Sequence, residues 1–172
     1  MAAPEIEPIL WKFLSSVALF RELERDELIE LLRGATKVEF APGKLVFEEG
    51  ARDAGSMYVV VRGKFEVFKT VRGADAKIAH VLPGEHFGEM ALVTGRPRTA
   101  SVRALEPSIV LRLGKESMFG QPNVAVCMLK SIVALLSEEL RERNSEVIML
   151  EAARRDRVKA DLLAKVKSEN QQ

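Results

Sequence analysis

One cysteine, Cys127, occurs in 172 residues. No internal disulfide can form, and a reducing compartment is the expectation. Cys127 lies in an apolar helical run and reads as an inert core thiol. Histidine is nearly as scarce, with only His80 and His86. Barrel enzymes that use a metal need several convergent imidazoles and carboxylates, and a Ser or Thr nucleophile needs a positioned base. This composition excludes both, so no catalytic residue and no metal site are expected, and His80 and His86 read as a strand residue and a turn residue. No strong field is present either: 30% of residues are charged but the net charge is +1, which invites neither DNA nor an anionic membrane. No apolar run approaches the roughly 18 residues that cross a bilayer, and the N-terminus is acidic where a secretory signal is basic. A soluble, cytoplasmic protein of one domain with a terminal extension is the expectation. Aromatics are sparse at 6%, yet 47% of the residues are hydrophobic, enough for a core.

The chain opens with a helical pattern. Over 4–17, Ile9, Leu10, Phe13 and Leu14 share a side, and Trp11 reads as a packing residue. A second helix is expected over 24–33, with Leu28, Leu31 and Leu32 inward and Gly34 as its stop. Residues 1–34 form an N-terminal helical segment. From Lys37 the period becomes alternating: Val38 and Phe40, Leu45 and Phe47, 57–61, then Phe65, Val67 and Phe68 make short β-rich runs. Pro42-Gly43, Glu49-Gly50, Arg62-Gly63 and Arg72-Gly73 separate them as turns. Runs at 78–82, 100–103 and 109–113 continue the series. Closely spaced short strands of this kind predict an antiparallel β-roll, a jelly-roll-like barrel over 35–121, in an α+β, mainly β, chain. After Gly114 the pattern is helical: a short helix over 115–119, then a long one from Val124, with Asn123 as a candidate N-cap. Residues 122–172 are this long helix and its tail.

The most informative stretch is Phe87–Ser101, FGEMALVTGRPRTAS. Gly88 has no Cβ and lets the backbone approach a ligand. The short helical run that follows offers unpaired amides to an anion. Arg98, behind Pro97, can add a charge-assisted bidentate contact to a phosphate. Glu89 would repel a phosphate and needs another task, such as accepting from sugar hydroxyls. An anion cradle beside a carboxylate describes a ribose phosphate.

This run resembles the phosphate-binding cassette of the cyclic-nucleotide-binding domain family, in which F-G-E precedes a small or apolar pair and P-R-[TA]-A. The resemblance covers about Leu19 to Leu150. It implies a non-catalytic β-roll that binds cAMP or cGMP between the cassette at 87–101 and a C-terminal helix. On that resemblance, Arg98 meets the cyclic phosphate, Gly88 and Ala91 donate amides, and Thr99 adds a hydroxyl. Glu89 takes the ribose 2′-hydroxyl. Phe87, Met90 and Ala100 complete the cassette, and Val67, Ala79 and Val81 fall where the family packs the base. Thr99 leaves guanine open without excluding adenine. Arg96 and Arg103 read instead as solvated or ion-paired.

On the long helix, Val133, Leu136, Leu140, Arg143, Val147 and Leu150 occupy a/d positions. They are compatible with a homodimer seam or with packing on the chain's own barrel; the resemblance favours the homodimer. Asn144-Ser145 falls near the place where family members read adenine, with Arg143 beside it at a seam position, and an exposed polar turn is the alternative. The tail resembles the first helix of a helix-turn-helix domain but contains no Gly turn and no second helix, so no direct DNA contact is expected. The expected function is a cyclic-nucleotide sensor that signals through its C-terminal helix to an effector protein. The alternatives are a catabolite-activator-like regulator acting on DNA only through a partner, and a degenerate domain that binds no nucleotide.

Overall fold

The structure, a computed structural model, describes the backbone of residues 8–53 and 55–169, and the side chains of 11–53 and 55–159. The chain divides into two compact units, one through Ile132 and one from Val133.

In the first unit, α1 (Pro8–Ser16) is followed by a 3-10 turn, Ala18–Phe20, and by α2 (Arg25–Arg33). Residues 4–7 of the expected first helix lie outside the described residues. The start of α2 is held by the Glu24 amide donating to Glu27 Oε2 at 2.9 Å, and Gly34 closes the helix, its amide donating to the Leu32 carbonyl. Leu14, Leu19, Leu28 and Leu31 are buried. Trp11 is only half-buried, and the Arg25 guanidinium sits over its ring at 5.2 Å.

Among the described residues eight strands follow: β1 (Ala35–Phe40), β2 (Leu45–Phe47), β3 (Ser56–Arg62), β4 (Phe65–Val71), β5 (Ala74–Val81), β6 (His86–Phe87), β7 (Ser101–Ala104) and β8 (Ser108–Gly114). They form two antiparallel four-stranded sheets, ordered β1-β8-β3-β6 and β2-β7-β4-β5. The β-roll expected from alternation is therefore present, within an α+β chain. β5 begins earlier than its apolar residues suggest, because Asp75, Ala76 and Lys77 pair with β4 on an exposed edge. His86 lies in β6, not in a turn; its neighbour Val59 holds it in the ladder.

Side-chain alternation builds the core. Tyr58, Val60 and Val110 from one sheet meet Phe65, Val81, Val102 and Ala104 from the other, with Phe87 among them. Met57 and Val59 point the other way and are also fully buried, so β3 reads as an apolar run covered on both faces. Between β6 and β7 lies α3 (Glu89–Thr94); after β8 come α4 (Lys115–Phe119) and α5 (Pro122–Glu169). Asn123 is not the N-cap, since the helix already includes Pro122, a residue whose fixed φ suits a first helical position. Cys127 is half-buried rather than fully enclosed.

The second unit is the remainder of α5. Val133, Leu140, Val147 and Leu150 are all more than half exposed. Among the described residues, no helix is long and apolar enough to cross a membrane.

Candidate functional site

The site is assembled where β6 runs into α3. Strand pairing sets Tyr58 opposite Phe87, and their rings stack with centroids 5.1 Å apart. Phe47 packs against both, at 5.9 Å from each. The chain then turns through Gly88, at φ +86°, and enters α3. A Cβ there would lie 2.8 Å from Arg98 Nη1, 3.4 Å from the Ser56 carbonyl and 3.5 Å from the Phe47 ring. Glycine is thus required twice, for the left-handed backbone and for the close approach of a guanidinium.

Arg98 is 3% exposed. Its Nη1 donates to the Gly88 carbonyl at 2.9 Å and its Nη2 to the Ser56 carbonyl at 2.8 Å. Its guanidinium carbon lies 4.1 Å above the centre of the Phe47 ring. The backbone is clamped as well: the Arg98 amide donates to Ala51 at 2.9 Å, and the Arg98 carbonyl accepts from Gly50 at 2.8 Å. Among the described residues, Nε is buried without a hydrogen-bond partner. Such an orphaned donor is unusual in a folded interior and marks a place where an acceptor belongs. Burial holds the guanidinium below its ordinary range; nearby Tyr58, Asp53 and Glu89 oppose that shift, and Arg112 adds to it. Glu89, at the first position of α3, is 9% exposed. A desolvated cation with spare N–H groups and a buried carboxylate therefore share one small region.

The inner wall comes from register. Val67 pairs with Ala79 and with Val102, and Phe65 pairs with Val81, so these side chains line one face of the sheet. Val81 is buried, and Val67 packs against the cluster that contains Phe87. Ala79 is half-buried. The next β4 residue, Phe68, pairs with Lys77, which leaves Ile78 as the extra residue of a bulge.

Phe87 packs in one cluster with Val81 and Val67, Arg98 reaches the Gly88 carbonyl and feels the charge of Glu89, and Ala91 and Ala100 are buried in the same segment. Met90 and Thr99 belong to the same segment but are exposed. Arg143 and Asn144 stand in the second unit, where both are exposed; Arg143 approaches Glu139 at 4.0 Å and Glu146 at 3.7 Å on its own helix. Arg103 is ion-paired, to Glu66 at 2.6 Å and Asp75 at 2.7 Å, over the Phe68 ring.

Residues that the sequence did not single out turn out to support Arg98: Ser56, Phe47, Tyr58 and the Gly50-Ala51 backbone. Ser56 is fully buried and is 42 positions from Arg98. Its contribution is a carbonyl, which every residue has, so residue type carried no signal. The sequence marks Gly50 as a turn and Phe47 and Tyr58 as strand residues, none of them as a support for Arg98.

Residues 37–121 match the family model described as cyclic nucleotide-binding domain. The chain is similar to the cAMP-dependent protein kinase regulatory subunit of Dictyostelium discoideum, 32% identical over 99 residues, covering 55% of this chain and 30% of that protein. It is similar to the cyclic AMP receptor protein of Thermus thermophilus, 32% identical over 134 residues, covering 77% of this chain and 61% of that protein. The crystal structure of the Thermus thermophilus catabolite activator protein superposes with a TM-score of 0.68 at 30% identity, over 78% of this chain and 63% of the other. The chain therefore spans less than two thirds of each of these relatives. The cassette sequence, the β-roll that presents it and these similarities agree: the chain belongs to the cyclic-nucleotide-binding domain family.

Proposed function

We propose that the chain is a cyclic-nucleotide sensor module without catalytic activity of its own. Arg98 receives the cyclic phosphate, with the amides of Gly88 and Ala91 and the hydroxyl of Thr99. Glu89 accepts from the ribose 2′-hydroxyl. Phe87, Met90 and Ala100 frame the cassette, and Val67, Ala79 and Val81 flank the base. The observation that carries this reading is Arg98 itself, a buried guanidinium with an unpartnered Nε beside a buried carboxylate. A phosphate oxygen satisfies the orphaned donor and offsets the cost of a desolvated cation. The degenerate alternative would leave that cost uncompensated.

Calorimetric titration with cAMP and cGMP in parallel tests the reading. Binding of at least one in the micromolar range or tighter is expected, and the ratio of the two affinities gives the base preference. Failure of both to bind at millimolar concentration would remove the sensor role and leave the fold assignment intact.

The output passes through α5 to an effector protein in the cytoplasm, with no direct contact to DNA. A ligand moves such an equilibrium only by its differential affinity for two states. The module is a homodimer through the stripe of Val133, Leu140, Val147 and Leu150, an exposed series at heptad spacing. Sedimentation of the full chain is expected to give a dimer at tens of micromolar and a monomer for Leu140→Arg; a monomeric wild type would end the dimer reading.

A further inference from the structure

Ser56, whose carbonyl accepts from Arg98, also lines a concavity. It is a polar cleft of about 580 Å³ between α2, the start of β1, the end of β8 and α4. That volume is in the range of small-molecule sites. Its charged lining is Glu30, Arg33, Arg112, Lys115 and Glu116. Arg33 is already engaged, its Nη1 donating to Glu30 Oε2 at 2.8 Å. Among the described residues, Arg112 and Lys115 have no ion pair, against the single carboxylate of Glu116. Arg112 is nonetheless fixed in place: its Nε donates to Ser56 Oγ at 2.8 Å. Ser56 thus accepts from two guanidiniums, through its hydroxyl from Arg112 in the cleft and through its carbonyl from Arg98 in the cassette.

We infer that this cleft is a second anion site, for a small multivalent phosphate or carboxylate, and that its occupation weakens anion binding at Arg98. Arg112 and Lys115 supply the charge, and Glu116 disfavours ligands that carry no hydrogen-bond donor. The sign of the coupling follows from electrostatics. Arg112 raises the positive potential at Arg98 and so favours a phosphate there. An anion in the cleft cancels part of that contribution; Arg112 and Lys115 are exposed, so the effect weakens as salt rises. Linkage makes the effect reciprocal. The coupling rests on the cassette binding a cyclic nucleotide; the cleft as a site does not.

The test uses the full chain at constant ionic strength, with pyrophosphate and citrate as probes. Pyrophosphate binding should survive Arg98→Ala and fall at least about tenfold in Lys115→Gln, the loss of one charge-assisted contact. Saturating pyrophosphate should lower the affinity of the wild type for cAMP about fivefold. Lys115→Gln should keep the full cAMP affinity and lose the pyrophosphate effect. Citrate reproducing these results assigns a polycarboxylate ligand; pyrophosphate alone doing so assigns a phosphate. Pyrophosphate binding that disappears in Arg98→Ala, or that Lys115→Gln leaves unchanged, would place the anion in the cassette and overturn the proposal. Unchanged cAMP affinity at saturating pyrophosphate would overturn the coupling. Titration of the wild type with cAMP alone reports on the sensor reading separately.

Discussion

Arg98→Ala is expected to lower the affinity for cAMP and cGMP by about a hundredfold to ten-thousandfold while leaving a folded protein. Two charge-assisted contacts to a phosphate, at about 1.5–3 kcal/mol each, give that range. Stability should move far less, because two effects oppose one another. The substitution removes a cation that burial has desolvated, and it strands the carbonyls of Gly88 and Ser56, which now accept from it. Replacing a buried charge is often close to neutral when the charge was imperfectly compensated. Here Nε has no partner among the described residues. Calorimetric titration beside thermal unfolding separates the two quantities. Affinity within threefold of wild type would show that the nucleotide does not bind at Arg98.

The sign of the Arg98 shift also limits what pH can do. Its folded-state pKa lies below the ordinary arginine value, so folding disfavours the charged form. That cost is present below the folded pKa and is relieved only as pH rises through it. An arginine is not deprotonated near neutrality, so the cost is constant across the physiological range and Arg98 contributes no pH dependence to binding there.

Gly88→Ala is the second large effect. A side chain at φ +86° costs about 1–2 kcal/mol in the left-handed region. The new Cβ would also press on Arg98 Nη1 at 2.8 Å, so the guanidinium must leave its place and its bond to the Gly88 carbonyl. Binding should fall by at least about a hundredfold, since a displaced arginine forfeits the same contacts. Gly84→Ala is the matched control: its φ is +88° and a Cβ there meets nothing within 4 Å. Both variants should lose a few degrees of melting temperature, about 2–4 °C per kcal/mol for a chain of this size, and only Gly88→Ala should lose binding. Equal affinities in the two would show that the crowding at Arg98 does not matter.

Local chemistry made much of this protein readable in advance. The β-rich apolar run at 57–61, the Gly34 stop and the helical run after Gly114 each depend on neighbours a few positions away, and each appears where its local pattern places it. The edge part of β5 was hidden because Asp75, Ala76 and Lys77 lack any apolar alternation; pairing to β4 alone makes them a strand. Asn123 carries the residue type of a cap, but Pro122 already starts the helix one position earlier.

The cassette was legible for a related reason. Gly88, Glu89 and Arg98 lie within one short segment, and their chemical types are those that an anion cradle beside a carboxylate needs. What holds Arg98 could not be found that way. Ser56 contributes a carbonyl, Phe47 a ring face, and Gly50 and Ala51 their backbone, from strands and turns more than 40 positions away. Backbone groups are common to every residue, so their roles arise only when β3 and the turn after β2 are folded against α3. The same holds for Ser56 as the joint between Arg98 and Arg112. Residue types announce which ligand chemistry a chain can offer, whereas the orientation, burial and coupling of those groups depend on contacts between distant segments.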